Sequence, residues 1–214
     1  IANSPIQTFD KVNDIPVMPG DIKYKDINDD GIIDSHDVVP IGYAGVPQLE
    51  GGWGVSFGFY GFDFNFFLQG AARVSFMMDP TARVDWGSGS VGTAPFIDNH
   101  SLLKAWADDH WSETNRNCYA LWPRLSDTSR PNNEQASTWW LRDGGYLRLK
   151  SVEIGYNVPE KLIKKVGIQQ LRFYGSGMNL LSFNNFKLWD VEMGGSGLNY
   201  PIQKVFNLGL SLNF

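Results

Sequence analysis

The stretch from Phe206 to Phe214, FNLGLSLNF, alternates strictly between apolar side chains and polar or small ones. A period of two is typical of a β-strand, because successive side chains point to opposite faces of a sheet. One phase is wholly apolar, which is the pattern of a barrel strand that separates lipid from water. The apolar phase holds Phe206, Leu208, Leu210, Leu212 and Phe214, and the other phase holds Asn207, Gly209, Ser211 and Asn213.

The stretch 53–69 repeats this pattern on both sides of Tyr60-Gly61 and predicts a β-hairpin. If those two residues form the turn, Phe59 faces Phe62, and the three pairs behind them are also apolar and lie on the same face. Turn length and apolar phase therefore agree, and these two features set the register of a hairpin. Because Tyr60 is a poor residue for a type I′ turn, a bulged turn is the alternative.

Five strands follow from this reading, and their connections alternate between long and short. That order is typical of a transmembrane barrel with extended outer loops and tight periplasmic turns. In the third strand the apolar phase slips near Lys150-Ser151, which indicates either a β-bulge or a strand emerging from the membrane. Short helices are expected at 101–111, capped by Ser101, and at 159–166, stopped by Gly167. The predicted strands are 51–60, 62–71, 145–157, 169–182 and 203–214.

The predicted fold class is all-β: the last five strands of an antiparallel transmembrane β-barrel with long extracellular loops. The segments 1–50 and 72–144 are interpreted as extracellular loops, 51–71 as a barrel hairpin, and 145–214 as the last three strands. Five strands cannot close a barrel, since the smallest membrane barrels have eight.

Composition narrows the functional classes. Of the 214 residues, 19% are charged and 14% aromatic, which argues against disorder. A net charge of −5 without a basic run argues against nucleic-acid binding. The single cysteine, Cys118, excludes an internal disulfide framework. Because Ile1 is not an initiator methionine and no signal peptide follows it, we expect the chain to be a segment of a larger protein.

Several motifs in this order resemble the C-terminal part of SusC/RagA-type TonB-dependent outer-membrane transporters. The resemblance implies a barrel of 22 strands around an N-terminal plug, and it covers about Gly20 to Phe214. It also implies import of glycan or peptide fragments, a SusD-type surface lipoprotein as partner, energy from the TonB complex, and an outer-membrane location with a periplasmic C-terminus. The motifs are GDIKYKDINDDGIIDSHDVVPIG (20–42), YGFDFNFFLQG (60–70), PRLSD (123–127), STWWLRDGGYLRLKSVEIGYNVP (137–159), GSGMNLLSF (175–183) and FNLGLSLNF (206–214).

The segment DINDDGIIDSHD, 26–37, has the spacing of a calcium-binding loop. Gly31 stands at position 6, where such loops turn sharply, and position 12 is Asp instead of the usual bidentate Glu, as in dockerin-type loops. We expect Ca²⁺ or Mg²⁺ here as a structural staple; the alternative is an acidic loop of Asx-turns without an ion. The predicted ligands are Asp26, Asn28, Asp30, the Ile32 carbonyl, Asp34 and Asp37.

The end of the chain also fits the β-signal by which the barrel-assembly machinery identifies its substrates, as the resemblance implies. The signal residues are Asn207, Gly209, Leu212 and Phe214. The alternative is an amphipathic edge strand that happens to end in Phe. Six of the eight tryptophans fall between the second and third strands, where an interfacial girdle or a small loop core is favoured over substrate contact. They are Trp86, Trp106, Trp111, Trp122, Trp139 and Trp140.

Signals for catalysis are weak, so no enzyme activity and no catalytic residues are predicted. The G-x-G-x-x-G match at 87–92 would indicate a dinucleotide-binding turn only between a strand and a helix. It follows no proper strand and leads to Pro95 instead of a helix, so it is interpreted as a flexible loop. His110 has no nucleophile or second histidine nearby. Transport, which the resemblance implies and which the loop lengths and the C-terminal Phe favour, is the leading hypothesis. The alternative from another class is a soluble, calcium-stapled β-sandwich that binds carbohydrate.

Overall fold

Five long strands dominate the computed structural model, which describes residues 6–7, 16–81, 83–85, 90–96 and 102–214. The strands are β1 (Ile6–Gln7), β2 (Ile32–Ile33), β3 (Leu49–Phe59), β4 (Phe62–Ala72), β5 (Ser75–Met77), β6 (Arg83–Asp85), β7 (Ser90–Gly92), β8 (Leu141–Asp143), β9 (Tyr146–Asn157), β10 (Gln170–Asn184) and β11 (Val205–Asn213). The helices are α1 (Lys104–Asp108) and α2 (Glu160–Ile163), with 3-10 turns at Ser35–Asp37, Lys164–Val166 and Val191–Met193.

The described residues divide into two compact units. One is drawn from 1–42, 77–142 and 194–199, and is called the loop unit below. The other is drawn from 43–76, 143–193 and 200–214, and is called the sheet unit.

The sheet unit is built on one antiparallel sheet in the order β11-β10-β9-β4-β3. All five predicted strands are present, and each end lies within two residues of its predicted position. β3 and β4 pair from Phe59↔Phe62 to Leu49↔Ala72 without a shift. Tyr60 and Gly61 both have positive φ, 50° and 87°, as a type I′ turn requires. The two-residue turn is thus confirmed, and the bulged alternative is wrong.

A bulge in β9 keeps the apolar phase continuous across the sheet. Ser151 pairs with Phe67 but Leu149 pairs with Leu68, so Lys150 is the extra residue. The pairing of β9 with β10 shifts at the same level, between Met178 and Leu181. The predicted phase slip is therefore a real bulge, and it returns Leu147 and Leu149 to the same face as the apolar residues on the other side of Lys150.

The register brings the apolar phases of all five strands to one face of the sheet, called the apolar face below. Many of its side chains are exposed: Leu208 keeps 94% of its accessible surface and Phe206 keeps 74%. Within the described residues, no second sheet covers it. Its members are Trp53, Val55, Phe57, Phe59, Phe62, Phe64, Phe66, Leu68, Leu147, Leu149, Val152, Ile154, Tyr156, Leu171, Phe173, Leu181, Phe183, Phe206, Leu208, Leu210 and Leu212.

The opposite face, called the polar face below, carries the charged and amide side chains of the same strands. It also holds Phe67, whose ring lies over the backbone of β3 beside Gly52 and Gly54. The other members include Asp63, Asn65, Gln69, Arg148, Ser151, Glu153, Arg172, Tyr174, Ser176, Asn207, Gly209 and Ser211.

The loop unit has short strands and a buried aromatic core. β1 pairs in parallel with β2, and β6 pairs with β7 in antiparallel fashion. The core is centred on Trp106, Trp122 and Trp140, whose rings contact one another at centroid distances of 4.7 and 5.0 Å. All three are buried, and Trp140 is fully so. The region interpreted from sequence as a long loop therefore contains its own core.

The helix expected at 101–111 is shorter than predicted. α1 begins at Lys104 after Leu103, which makes no side-chain capping hydrogen bond, and it ends at Asp108. Ser101, the predicted cap, lies outside the described residues, as do Trp86 and 87–89 of the glycine-rich match. The second expected helix is present as α2 and the 3-10 turn behind it, and Gly167 ends it with a left-handed φ of 79°. Within the described ranges, no helix is both long and apolar enough to cross a bilayer.

The contact of Phe67 with β3 generates a test of the hairpin. A Cβ at Gly54 would lie 2.8 Å from the Phe66 carbonyl and 3.1 Å from Cδ2 of Phe67, whereas a Cβ at Gly58 meets nothing closer than 3.6 Å. We expect Gly54→Val to lower the free energy of unfolding of the intact protein by roughly 1–3 kcal/mol through overpacking. Gly58→Val, on the same face of the same strand, is the control and should be close to neutral. Equal denaturant midpoints for the two variants would contradict this packing.

Candidate functional site

The acidic loop 26–37 is folded by hydrogen bonds from its own backbone to its own carboxylates and amide. Asp26 Oδ2 accepts from the Gly31 amide at 2.8 Å, and Asp30 Oδ1 accepts from the Ile32 amide at 2.8 Å. Asn28 Oδ1 accepts from the Asp30 amide at 3.1 Å. The chain reverses at Asp29 and Gly31, which both have positive φ. The sharp turn expected at Gly31 is therefore present.

The far end of the loop is closed by Asp37. Its Oδ1 accepts from the amide of Ile27 at 2.7 Å, and its Oδ2 accepts from the amide of Asp34 at 2.9 Å. Asp34 caps the 3-10 turn by accepting from the amide of His36. Position 12 thus draws the two ends of the loop together, as the terminal ligand of a calcium loop does.

These hydrogen bonds change the titration of the loop. The backbone amide of His36, and then its ring, hold the pKa of Asp34 below its ordinary value. The amides of Asp34 and Ile27 do the same for the pKa of Asp37. Because both pKa values lie below those of the unfolded chain, the ionised carboxylates stabilise the loop above about pH 4, and this contribution is lost as the pH falls. The contact with Asp34 raises the pKa of His36.

The fit of this loop to a cation depends on its oxygen atoms. Asp26 Oδ1 is buried and has no hydrogen-bond partner among the described residues, so one carboxylate oxygen lacks the donor or cation that a buried oxygen needs. Among the same residues, no three His, Cys, Asp or Glu side chains form a ready ligating group. Asn28 and Asp30 are exposed, Ile32 is largely exposed, and Asp26, Asp34 and Asp37 are half-buried. Carboxylate and amide oxygens are the donors that Ca²⁺ and Mg²⁺ prefer, and the cation and its ligand assignment stay a prediction.

A buried polar clamp holds the chain just before this loop. The Ile22 amide donates to Asn133 Oδ1 and the Ile22 carbonyl accepts from Asn132 Nδ2, both at 2.9 Å. Asp21, almost fully buried, accepts from Asn133 and pairs with Arg124. The Trp140 indole donates to the Asn133 carbonyl at 2.8 Å, which ties the clamp to the tryptophan core. The motifs GDIKY and PRLSD, far apart in sequence, therefore meet in one network.

The tryptophans serve mainly as this core. Trp106 donates through its indole to the Thr93 carbonyl at 2.7 Å, so its polar atom is satisfied inside the unit. Trp111 and Trp139 are half-buried. The interpretation as a loop core thus describes Trp106, Trp122 and Trp140.

Two ion-pair clusters on the polar face were not found from sequence. Arg172 of β10 contacts Asp63 of β4 and Glu153 of β9, which ties three neighbouring strands together. Arg148, only 2% exposed, pairs at 2.7 Å with both Asp190 and Glu192 in the segment after β10. The sequence shows only that charged residues stand in the polar phase of these strands. Alternation alone does not say which of these charges meet.

The residues of the predicted β-signal lie on and just after β11. Asn207 and Gly209 are on the polar face and Leu212 is on the apolar face, while Phe214 follows the strand. The Tyr174 ring lies so close to Gly209 that an added Cβ would fall 2.2 Å from it. Gly209 therefore has a packing reason to lack a side chain, independent of any recognition.

Comparison with known proteins bears on this arrangement. No protein-family model matches the chain. TonB-dependent receptor P3 of Formosa agariphila is 29% identical over a gapped alignment of 212 positions, which covers 92% of this chain and 19% of the relative. TonB-dependent receptor P26 of the same organism is 27% identical over a gapped alignment of 218 positions, which covers 93% of this chain and 20% of that protein. The chain is related to the TonB-dependent receptors. The predicted resemblance is thereby confirmed.

Solved structures show the same fold. The RagAB peptide transporter matches with a TM-score of 0.64 and 21% identity over 86% of this chain and 19% of the matched chain. The closed-closed state of the RagAB peptide importer matches with a TM-score of 0.63 and 21% identity. This match covers 88% of this chain and 20% of the matched chain. The predicted fold class is therefore confirmed, and the chain spans about one fifth of the length of the TonB-dependent receptors and solved structures that it matches.

The polar clamp generates a prediction. Asn133→Ala would leave the Ile22 amide and one Asp21 oxygen buried with fewer partners, each worth about 1–3 kcal/mol. We expect amide hydrogen exchange in residues 20–24 of the intact protein to become several-fold faster or more. Asn115→Ala, at an exposed position, is the control. Unchanged protection of 20–24 in Asn133→Ala would mean that the network does not hold this segment.

Proposed function

We propose that this chain is the C-terminal part of an outer-membrane TonB-dependent importer. The observation that carries the proposal is the two-sided sheet: five strands in register, with an apolar face left exposed and a polar face that carries the ion pairs. A bilayer covers such an apolar face at no cost to the backbone hydrogen bonding of β4, β9 and β10, which pair on both sides, and the outer edges of β3 and β11 would pair with the remaining strands of the barrel. The fold shared with the RagAB peptide transporter supports the proposal.

In this proposal the polar face lines the lumen, and the chain supplies barrel wall and outer mouth instead of chemistry. The plug and the remaining strands belong to the rest of the same protein, whose N-terminal part would engage the TonB complex. A SusD-type surface lipoprotein is the proposed partner, and glycan or peptide fragments are the proposed cargo. The RagAB structures, described as those of a peptide importer, support the peptide option for their own system.

The orientation follows from the connections. The two-residue turn 60–61 and the connection 158–169 lie at one end of the sheet, and the longer connections lie at the other. We assign the short-turn end, with the C-terminus, to the periplasm, and the long connections to the cell surface. The β-signal of Asn207, Gly209, Leu212 and Phe214 then lies where the assembly machinery acts.

A soluble β-sandwich module is the alternative function, and one observation disfavours it. In a sandwich, a second sheet would bury the apolar face. Here Leu208 and Phe206 remain largely exposed, as do Phe57 and Phe59 on the far hairpin. A bilayer accounts for this exposure, whereas a soluble monomer would lose stability by it.

The facing of β11 provides the test of the importer proposal. Leu210→Arg would place a charge in lipid near the midplane and should cost roughly 2–4 kcal/mol, while Ser211→Arg, one residue away, should cost much less. The measurement is heat-modifiable gel mobility and membrane assembly of the full transporter with each substitution. The proposal fails if Ser211→Arg blocks assembly and Leu210→Arg does not.

The loop 26–37 is the proposed site of one Ca²⁺ or Mg²⁺. Asp26, Asn28, Asp30, Asp34 and Asp37 would supply side-chain oxygens, and Ile32 its carbonyl. The cation would neutralise neighbouring carboxylates and fix the loop beside the clamp at 20–24. It would act as a structural staple, with no part in chemistry.

Calcium titration of the intact protein tests this site. We expect Asp26→Asn to weaken binding roughly tenfold or more, because affinity follows the charge and number of the ligands. Asp29→Asn, at the non-ligating position 4 of the same loop, is the matched control and should bind almost as the wild type does. Protection of 20–37 from proteolysis should require calcium in the same rank order. Binding that is equally weak in both variants would point to bulk charge, and no binding in the wild type would remove the site.

A further inference from the structure

The connection between β9 and β10 carries a lysine-rich helical turn. Lys161, Lys164 and Lys165 are all exposed. Lys164 pairs with Glu160 at 2.6 Å, and no described carboxylate pairs with Lys161 or Lys165. Three lysines against one glutamate leave an excess of two positive charges on this turn, in a chain whose net charge is −5.

The same turn exposes apolar side chains that its own packing does not use. Ile163 is buried and anchors the turn, whereas Leu162 and Val166 each keep 69% of their accessible surface. Leu162 follows Lys161 in α2, and Val166 follows Lys165 in the 3-10 turn behind it. Ammonium groups and exposed aliphatic groups therefore stand next to each other.

Backbone hydrogen bonds place this connection at the rim of the apolar face. The Asn157 amide donates to the Gly61 carbonyl at 2.7 Å, and the Gln169 amide donates to the Asn213 carbonyl at 2.8 Å. The hairpin turn and the end of β11 thus lie at the same end of the sheet. Phe59, Tyr60 and Phe214 are 69%, 84% and 75% exposed there. The rim combines aromatic, aliphatic and cationic side chains.

We propose that the α2 turn, residues 160–166, binds the head groups of anionic phospholipids in the leaflet at this end of the barrel. The inference rests on the proposed function, because it requires the apolar face to lie in a bilayer. Lysine ammonium groups at the level of the phosphates attract anionic lipid, while Leu162 and Val166 enter the acyl boundary. Aromatic side chains at the same level anchor a membrane interface.

A lipid fits this surface better than a soluble acidic partner for two reasons. The cationic turn is continuous with an apolar face that has no cover within the described residues, and both would enter one bilayer. The lysines are also spaced along one short turn, a geometry that suits separate head groups in a plane. The ligand is therefore assigned as a phospholipid with a net negative head group.

The experiment uses the full transporter in nanodiscs of phosphatidylethanolamine doped with phosphatidylglycerol, with retained lipid counted by native mass spectrometry. The test variant is Lys161→Gln/Lys164→Gln/Lys165→Gln. Each unpaired ammonium near an anionic surface is worth about 1 kcal/mol, so two predict a roughly 30-fold loss of preference for phosphatidylglycerol. Raising the salt from about 0.1 M to about 1 M should remove most of the wild-type preference.

The control variant is Lys23→Gln/Lys25→Gln/Lys187→Gln, which changes the net charge equally at exposed lysines outside the turn. It should keep the wild-type preference, as should the variant with arginine at 161, 164 and 165. Equal losses in test and control variants, or no loss in the test variant, would overturn the inference. So would a preference that appears only when a periplasmic extract is added, which would indicate a protein partner. Resistance of the wild type to alkaline extraction tests the proposed function separately, so a barrel that inserts normally without any lipid preference refutes this inference alone.

Discussion

Cross-strand register is the constraint on which the rest of the sheet depends. A slip of one residue in any strand would move its whole apolar set to the polar face. The tight turn at Tyr60-Gly61 fixes the register of β3 with β4, and the bulge at Lys150 corrects that of β9. If Lys150 paired regularly instead of bulging, Leu147 and Leu149 would lie on the polar face.

The polar face is organised by charges that meet across strands. Arg172 of β10 pairs with Asp63 of β4 and Glu153 of β9. These two ion pairs can form together only when β4, β9 and β10 lie side by side in this order. Arg148 does something different, because it ties the segment after β10 back to β9 through Asp190 and Glu192. Arg148 is 2% exposed and its partner Asp190 is 16% exposed, so removing this arginine would leave a largely buried carboxylate unpaired, which costs more than the pair itself contributes.

Strands and turns could be predicted from sequence because their signals are local. The alternation in β11, β3 and β4 and the phase slip at Lys150 depend only on neighbouring residues. β10 was harder to interpret, since Gly175 and Gly177 occupy positions where apolar side chains would mark the phase, and an irregularity follows at Met178 to Leu181. Contacts between distant residues were out of reach: nothing local links Ile22 to Asn132 and Asn133, or Arg148 to Asp190. The tryptophan core was only one of two favoured interpretations, because a list of buried-type residues does not say which of them meet.

The core of the loop unit has a consequence for the order of folding. β4 and β9 are separated by residues 73–145, and a flexible loop of that length makes their pairing slow and costs roughly 4 kcal/mol of chain entropy. The Met78 amide donates to the Trp140 carbonyl at 2.9 Å, so the tryptophan core holds points near the two ends of this stretch together. If that core forms first, the chain between β4 and β9 is already closed when these strands meet. The loop unit would then act kinetically, because it shortens the search for the pairing of β4 with β9, which are separated by the longest connection within the described sheet.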